Sequence, residues 1–245
     1  MRSFKRFIVI TLLILLIIAT GFIIWANTPP DPMNEAINAM KSSTEVQVSD
    51  EPWIVFEPAG VPASTGLILY PGGRVDPRAY APIARSIAQQ GYKVVIVPMP
   101  LNLSVFNPSA AEPVIEAFPE IQHWAIGGHS LGGSMAANFA KNHPGMVQGL
   151  LLWASYPASS DDLSNSGLNV VSIFGSQDGL ATGVKIEASR LLLPDDTTWI
   201  SIKGGNHSQF GWYGEQAGDN PPMISRADQQ SQMLNATLNL LKSLK

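Results

Sequence analysis

The chain has 245 residues, of which 45% are hydrophobic and 14% charged, enough apolar content for one domain with a core that folds unaided. Net charge is −4, with no basic cluster beyond the first few residues, which argues against nucleic acid as a partner. Cysteine is absent, which excludes a disulfide framework, a thiolate nucleophile and a cysteine-ligated metal.

The first element is an apolar segment. From Phe7 to Trp25 the chain carries no charge and is polar only at Thr11 and Thr20. As a helix rising ~1.5 Å per residue it would span ~28 Å, close to the hydrocarbon thickness of a bilayer. Arg2, Lys5 and Arg6 precede it and Asp31 and Glu35 follow it, so the positive-inside tendency puts the N-terminus in the cytoplasm and the rest outside. The alternative is a cleaved signal peptide, for which Ala19-Thr20-Gly21 offers a small-x-small site, and the domain would then be secreted. An anchor is preferred, because the apolar run continues to Trp25, which stands where an interfacial aromatic belongs. Residues 1–26 are therefore read as a transmembrane segment touching the lipid bilayer through Phe7–Trp25. Residues 27–43 are read as an extended spacer, since Pro29-Pro30-Asp31-Pro32 cannot continue a helix.

From residue 44 to 245 short Val- and Ile-rich runs alternate with helix-like stretches, the mark of βαβ units around a mostly parallel, twisted sheet with helices on both faces. Strands are predicted at Val46–Val48, Trp53–Glu57, Leu67–Tyr70, Lys93–Val97, Trp124–Gly127, Gly149–Trp153, Val170–Phe174 and Thr198–Ile202, the first two forming an antiparallel edge. Helices are predicted at Pro77–Gln90, Ser109–Phe118, Leu131–Asn142, Thr182–Leu192 and Ser225–Leu241, with Gly91 and Pro144 as chain-stopping residues. Ligands bind such sheets at the carboxyl ends of the strands, so the chemistry belongs in the residues after each run.

The third run is followed by Pro71-Gly72-Gly73-Arg74, whose glycines allow close backbone approach but equally suit a plain turn. The run Trp124-Ala125-Ile126 is followed by Gly127-Gly128-His129-Ser130-Leu131-Gly132-Gly133, a G-x-S-x-G nucleophile elbow between a strand and a helix. The turn strains Ser130, and side chains at Gly128 and Gly132 would strike the neighbouring strand and helix. The alternative is an ordinary glycine-rich turn in which Ser130 caps the helix. Ile173-Phe174-Gly175-Ser176-Gln177-Asp178-Gly179 puts Asp178 in the turn after the next-to-last strand, either to hold a base in one tautomer or simply to form the turn. Asp161, Asp162, Asp195 and Asp196 compete but lie in polar loops.

A hydroxyl nucleophile needs a base, and the histidines are His123, His129, His143 and His207. His123 precedes the elbow strand, His129 is the variable elbow position, and His143 sits at a helix end facing terminal carbonyls. His207 remains, in the loop after the last strand, where the base stands when the chain order is Ser, acid, His. The oxyanion needs two N–H groups, conventionally one from the residue after the nucleophile, Leu131, and one from the earlier loop, Gly73 or, next, Arg74. In the long loop from Gly211 to Pro222, Trp212 and Tyr213 either wall a substrate site or pack under the last helix and shield His207.

On these residues the chain resembles the α/β-hydrolase superfamily, and within it the small cap-less group similar to dienelactone hydrolase and related exported esterases. The likeness runs from about Pro52 to Leu241 and rests on Gly128-His129-Ser130-Leu131-Gly132-Gly133, Gly175-Ser176-Gln177-Asp178 and Gly204-Gly205-Asn206-His207. Where many relatives have His-Gly after the third strand this chain has Pro71-Gly72, which leaves the backbone donor in place. Dienelactone hydrolase uses a cysteine nucleophile, which this chain lacks. Only about fifteen residues separate Trp153 from Asn169, too few for a separate cap.

The resemblance implies an α/β-hydrolase fold without a large cap, and a serine hydrolase acting on carboxylic esters of a small acyl substrate. Thioesterase or acyltransferase chemistry uses the same parts, and a membrane-tethered binding module that lost turnover is the rival from another class. No metal or organic cofactor is implied. Expressed in a bacterial host, the protein is expected in the membrane fraction with its encoded N-terminus. A soluble exported product beginning at Phe22 would show cleavage after Gly21.

Overall fold

The computed structural model describes residues 2–244; Met1 and Lys245, the outer bounds of the expected segments, lie outside the described residues. Helix α1 (Arg2–Ala26) leads, and from Phe4 to Ala26 it is long and apolar enough to cross a membrane. A short helix α2 (Asn34–Ala39) follows where an extended spacer was expected. Pro29, Pro30 and Pro32 hold the chain extended only as far as Met33, after which Ala36 and Ala39 are buried against the domain. The Met33 amide donates to the Trp212 carbonyl and Arg85 Nε to the Ala39 carbonyl, so this segment is packed rather than free.

The described residues form an eight-stranded sheet in the order β1-β2-β4-β3-β5-β6-β7-β8. Its strands are β1 (Val46–Ser49), β2 (Ile54–Pro58), β3 (Thr65–Tyr70), β4 (Lys93–Ile96), β5 (His123–His129), β6 (Gly149–Trp153), β7 (Asn169–Gly175) and β8 (Thr198–Ile202). The β1–β2 and β2–β4 pairs are antiparallel, and every other pair is parallel. β3 and β5 lie at the centre with every residue of β3 buried, as a strand covered on both faces must be.

Alternation along β3 feeds two cores. Leu67 and Leu69 face the layer formed by α3 (Ala81–Ala88) and α7 (Arg226–Ser243), with Ile87, Met233 and Leu241. Ile68 and Tyr70 face the layer of α4 (Glu112–Ala117) and α5 (Leu131–Asn142), with Val114, Ala137 and Phe139. Helix α6 (Gly183–Ala188) completes the first layer through Ile186.

Three helices are shorter than their sequence patterns predict. α3 is preceded by a 3-10 turn, Pro77–Tyr80, and α4 starts only at Glu112, because Pro82 and Pro113 are tolerated only in a first turn where their missing N–H is not needed. α6 gives way at Ser189 to a 3-10 turn, Arg190–Leu192. At the end of α5, His143 Nδ1 hydrogen-bonds the Phe139 carbonyl at 3.0 Å, the terminal role expected of it. Between β6 and β7, residues 154–168 contain turns and, among the described residues, no helix, so no cap covers the sheet.

Where α5 crosses β3, a Cβ on Gly132 would stand inside contact distance of the Tyr70 and Pro71 carbonyl oxygens. Gly132→Ala is therefore expected to destabilise by about 1–3 kcal/mol, the usual range for overpacking, despite alanine's better helix propensity. Gly183→Ala, at a helical glycine with nothing within 4 Å, should be neutral or slightly stabilising. Urea midpoints of the two variants test the contrast.

Candidate active site

The loops at the carboxyl ends of β5, β6, β7 and β8 converge on one cleft of about 280 Å³. Ser130, Leu131, Ala154, Tyr156, Ala181 and His207 are among its walls. A larger surface depression of about 710 Å³ lies at the opposite end of the sheet, around His123, Gln148 and Asn169, and brings no base to a nucleophile.

Ser130 joins β5 to α5 in a single residue, with φ 52° and ψ −121°, a conformation that L-residues seldom adopt. The surroundings over-determine it. The Ser130 amide donates to the Trp153 carbonyl at 2.9 Å, and the Ser130 carbonyl accepts from Ser155 Oγ at 2.6 Å. A Cβ at Gly128 would come within 2.5 Å of the Tyr70 oxygen, and one at Gly133 within 2.6 Å of Ser155 Oγ. Ser130 Oγ makes no cap to α5, so the capping alternative does not describe this turn.

His207 is buried, with Nδ1 2.8 Å from Asp178 Oδ2. A carboxylate accepts, so Nδ1 carries the proton and Nε2 keeps its lone pair; among the described residues Nε2 has no hydrogen-bond partner. Asp178 Oδ1 closes the turn by accepting from the Leu180 and Ala181 amides at 2.8 and 2.7 Å, while Oδ2 faces His207. Asp161 is instead tied to Asn138 and Ser160 away from the cleft.

Leu131 is the first residue of α5, so its amide has no partner within the helix. Gly73 lies against it, a Cβ there falling 3.1 Å from the Leu131 side chain. The Arg74 amide is already committed to the Asn102 carbonyl at 2.8 Å, which removes it as an oxyanion donor and leaves Gly73. Trp212 and Tyr213 do not wall the cleft. Tyr213 is 2% exposed within the core, and Trp212 lines a separate groove with Pro82, Ile83 and Leu234 between α3 and α7. The loop takes the packing role because its backbone is claimed by the domain: the Trp212 amide donates to the Ala79 carbonyl.

Two groups were not legible as site residues. Asp219 Oδ1 accepts from the Gly179 and His207 amides at 3.1 and 3.2 Å, and Oδ2 from the Ser208 amide and hydroxyl at 2.8 and 2.7 Å, so one carboxylate clamps the acid turn to the base loop. Partial burial pushes its carboxyl up, but these hydrogen bonds outweigh burial and hold it below the usual carboxylate range. The second is His129, whose ring centroid is 4.5 Å from that of His207. The Gly72 amide donates to Tyr80 Oη at 3.0 Å, and Tyr80 Oη lies 2.9 Å from His129 Nδ1, linking the Gly72–Gly73 loop to the base. Burial first, and His207 second, push His129 well below the usual imidazole range and keep it neutral. Only spatial neighbours reveal either role.

Residues 66–231 match the sequence profile of the alpha/beta hydrolase family. Among solved structures, that of a predicted CIB-like hydrolase from Thermoplasma acidophilum superposes with a TM-score of 0.59 at 13% identity, covering 82% of this chain and 100% of that one, a likeness of fold. No curated protein matches the chain.

Removing the Asp219 charge in Asp219→Asn is expected to cost about 1–3 kcal/mol near neutral pH, as backbone donors lose an ionised acceptor. Because the native carboxyl is depressed, this stabilisation is complete above the ordinary carboxylate value and is lost as pH falls through the native one. Urea midpoints of wild type and variant should therefore converge in strong acid; a gap that widens there would reverse the sign.

Proposed function

The chain belongs to the alpha/beta hydrolase family, and from that premise we propose that it is a membrane-anchored serine hydrolase cleaving carboxylic esters through an acyl-enzyme. The observation that carries the reading is the buried 2.8 Å Asp178–His207 hydrogen bond, which leaves His207 Nε2 unpaired on the cleft it shares with the strained Ser130.

In the proposed reaction Ser130 Oγ attacks the ester carbonyl as His207 Nε2 takes its proton, and Asp178 stabilises the imidazolium. The carbonyl oxygen becomes an oxyanion, held by the Leu131 and Gly73 amides and favoured by the N-terminal end of α5. Collapse breaks the bond to the alcohol, which leaves with the His207 proton. Water, activated by the same imidazole, then frees the acid and restores Ser130. The apolar Phe4–Ala26 helix, with Arg2, Lys5 and Arg6 at its start and acidic residues after it, supports an anchor with the domain outside.

A fluorophosphonate probe is expected to label Ser130. Ser130→Ala should retain its fold and lose hydrolysis of p-nitrophenyl acetate by several orders of magnitude, since the three groups act as a unit. For Asp178→Asn the fall in kcat should be on the order of 10⁴, as for the same change in serine proteases. Near-normal turnover by a folded Ser130→Ala protein would remove Ser130 from the mechanism.

A further inference from the structure

The end of α1 is built into the loops after β3 and β4. The last carbonyls of a helix lack internal partners. Here the Trp25 carbonyl accepts from Arg74 Nε at 2.8 Å, the Ala26 carbonyl from Asn102 Nδ2 at 3.0 Å, and the Thr28 carbonyl from Arg74 Nη2 at 2.9 Å. The Arg74 guanidinium also lies 4.2 Å from the centroid of the Trp25 ring. These donors belong to the loops after β3 and β4, which the Arg74 amide joins through the Asn102 carbonyl. Arg74, Leu101 and Asn102 all have φ between 52° and 54°, so the two loops hold three side-chain-bearing residues in the left-handed region to make this junction.

Beyond Asn102 the chain turns back toward α1. Leu103 lies 3.5 Å from a Cβ placed on Gly73, so it packs beside the oxyanion pair. Three residues later Phe106 meets Phe22 edge-on, ring centroids 6.4 Å apart. Phe22 is four residues before the end of α1, about 6 Å back along the helix. Val105 is 46% exposed and Phe106 52%, and both belong to the globular domain, yet the contact of Phe106 with Phe22 sets this pair beside the apolar span. Two exposed apolar side chains are ordinary on a soluble surface. Their level beside a membrane-length apolar helix gives them an occupant: lipid.

We propose that Leu103–Phe106 dips into the outer leaflet and that the cleft takes its substrate from there, as a long-chain acyl ester resident in the bilayer, with the chain leaving the oxyanion pair along Leu103 toward Phe106. This rests on the ester-hydrolase and anchor readings above. The bond cleaved and the atoms exchanged are those of the reaction already written; what is added is the class of ester and its route.

The test uses the full-length protein reconstituted in vesicles of ether-linked phosphatidylcholine, which carry no carboxylic ester of their own. Because the chain has no cysteine, Phe106→Cys offers a single site for an environment-sensitive fluorophore. Its emission is expected to report an apolar surrounding in vesicles; the emission of a water-exposed label would overturn the insertion. In parallel, Phe106→Asp should hydrolyse aqueous p-nitrophenyl acetate within twofold of wild type but lose at least tenfold on p-nitrophenyl palmitate dissolved in the vesicles. Equal rates on the vesicle ester for variant and wild type, with acetate hydrolysis intact, would overturn the substrate class and leave the hydrolase reading standing. Absence of acetate hydrolysis and of fluorophosphonate labelling in wild type would overturn the hydrolase reading and the substrate class with it, while the fluorophore still decides the insertion.

Discussion

The arrangement depends on one steric constraint: the chain reverses from β5 into α5 within Ser130, pressed against the end of β3. The Tyr70 and Pro71 carbonyls occupy the space that side chains at Gly128 and Gly132 would need, and the first turn of α5 stands where the end of β5 is closest to its neighbour. A reversal this tight exposes a side chain at its apex and an unpartnered amide just after it. The Ser130 side chain at the apex and the free Leu131 amide beside it are thus two outcomes of a single packing solution. The Trp153 carbonyl and Ser155 Oγ brace the turn from β6 and its following loop, so the strain is held by the sheet rather than by α5 alone.

The remaining groups meet a different demand, that of burying the His207 imidazole with a partner for its ring nitrogen. Asp178 supplies that partner, but a carboxylate aimed from a turn needs its own support, supplied by the Leu180 and Ala181 amides on one oxygen and by Asp219 bracing Gly179 beside it. Asp219 holds the His207 backbone as well, so acid and base are registered to a common point rather than to each other only. In a low-dielectric setting such a network stiffens as a unit, and a partial one would be worse than an apolar core. Neutral His129, kept so by burial, adds a polar partner for Tyr80 without placing a positive charge beside His207.

Much of this was legible in the residues. Strand positions follow from Val- and Ile-rich runs, and the turns that bring Ser130, Asp178 and His207 together are each marked by glycines next to a polar residue after a strand. Helix starts were not, because Pro82 and Pro113 read equally as interior residues or as first-turn residues until the packing decides. Trp212 and Tyr213 carry the composition of a substrate wall and of a core plug alike; the hydrogen bond from Trp212 to Ala79, far away in sequence, selects the latter. Asp219 looked like any aspartate in a Gly/Asn loop, and four of its five donors come from residues 11 to 40 positions earlier. The fold of the 33–43 segment rests on partners in α3 that no local pattern names.

The junction at the end of α1 has a mechanical meaning. A flexible tether fixes how far a domain can stray and leaves it free to tumble. Arg74 and Asn102 grip the final turn from two loops, with Trp25 clamped under the guanidinium, so there is no free leash between helix and domain. For a helix standing in a bilayer, only spin about the membrane normal would remain. The cleft would then sweep the plane at a fixed tilt and height, and its encounters would be governed by surface density and lateral diffusion instead of bulk concentration.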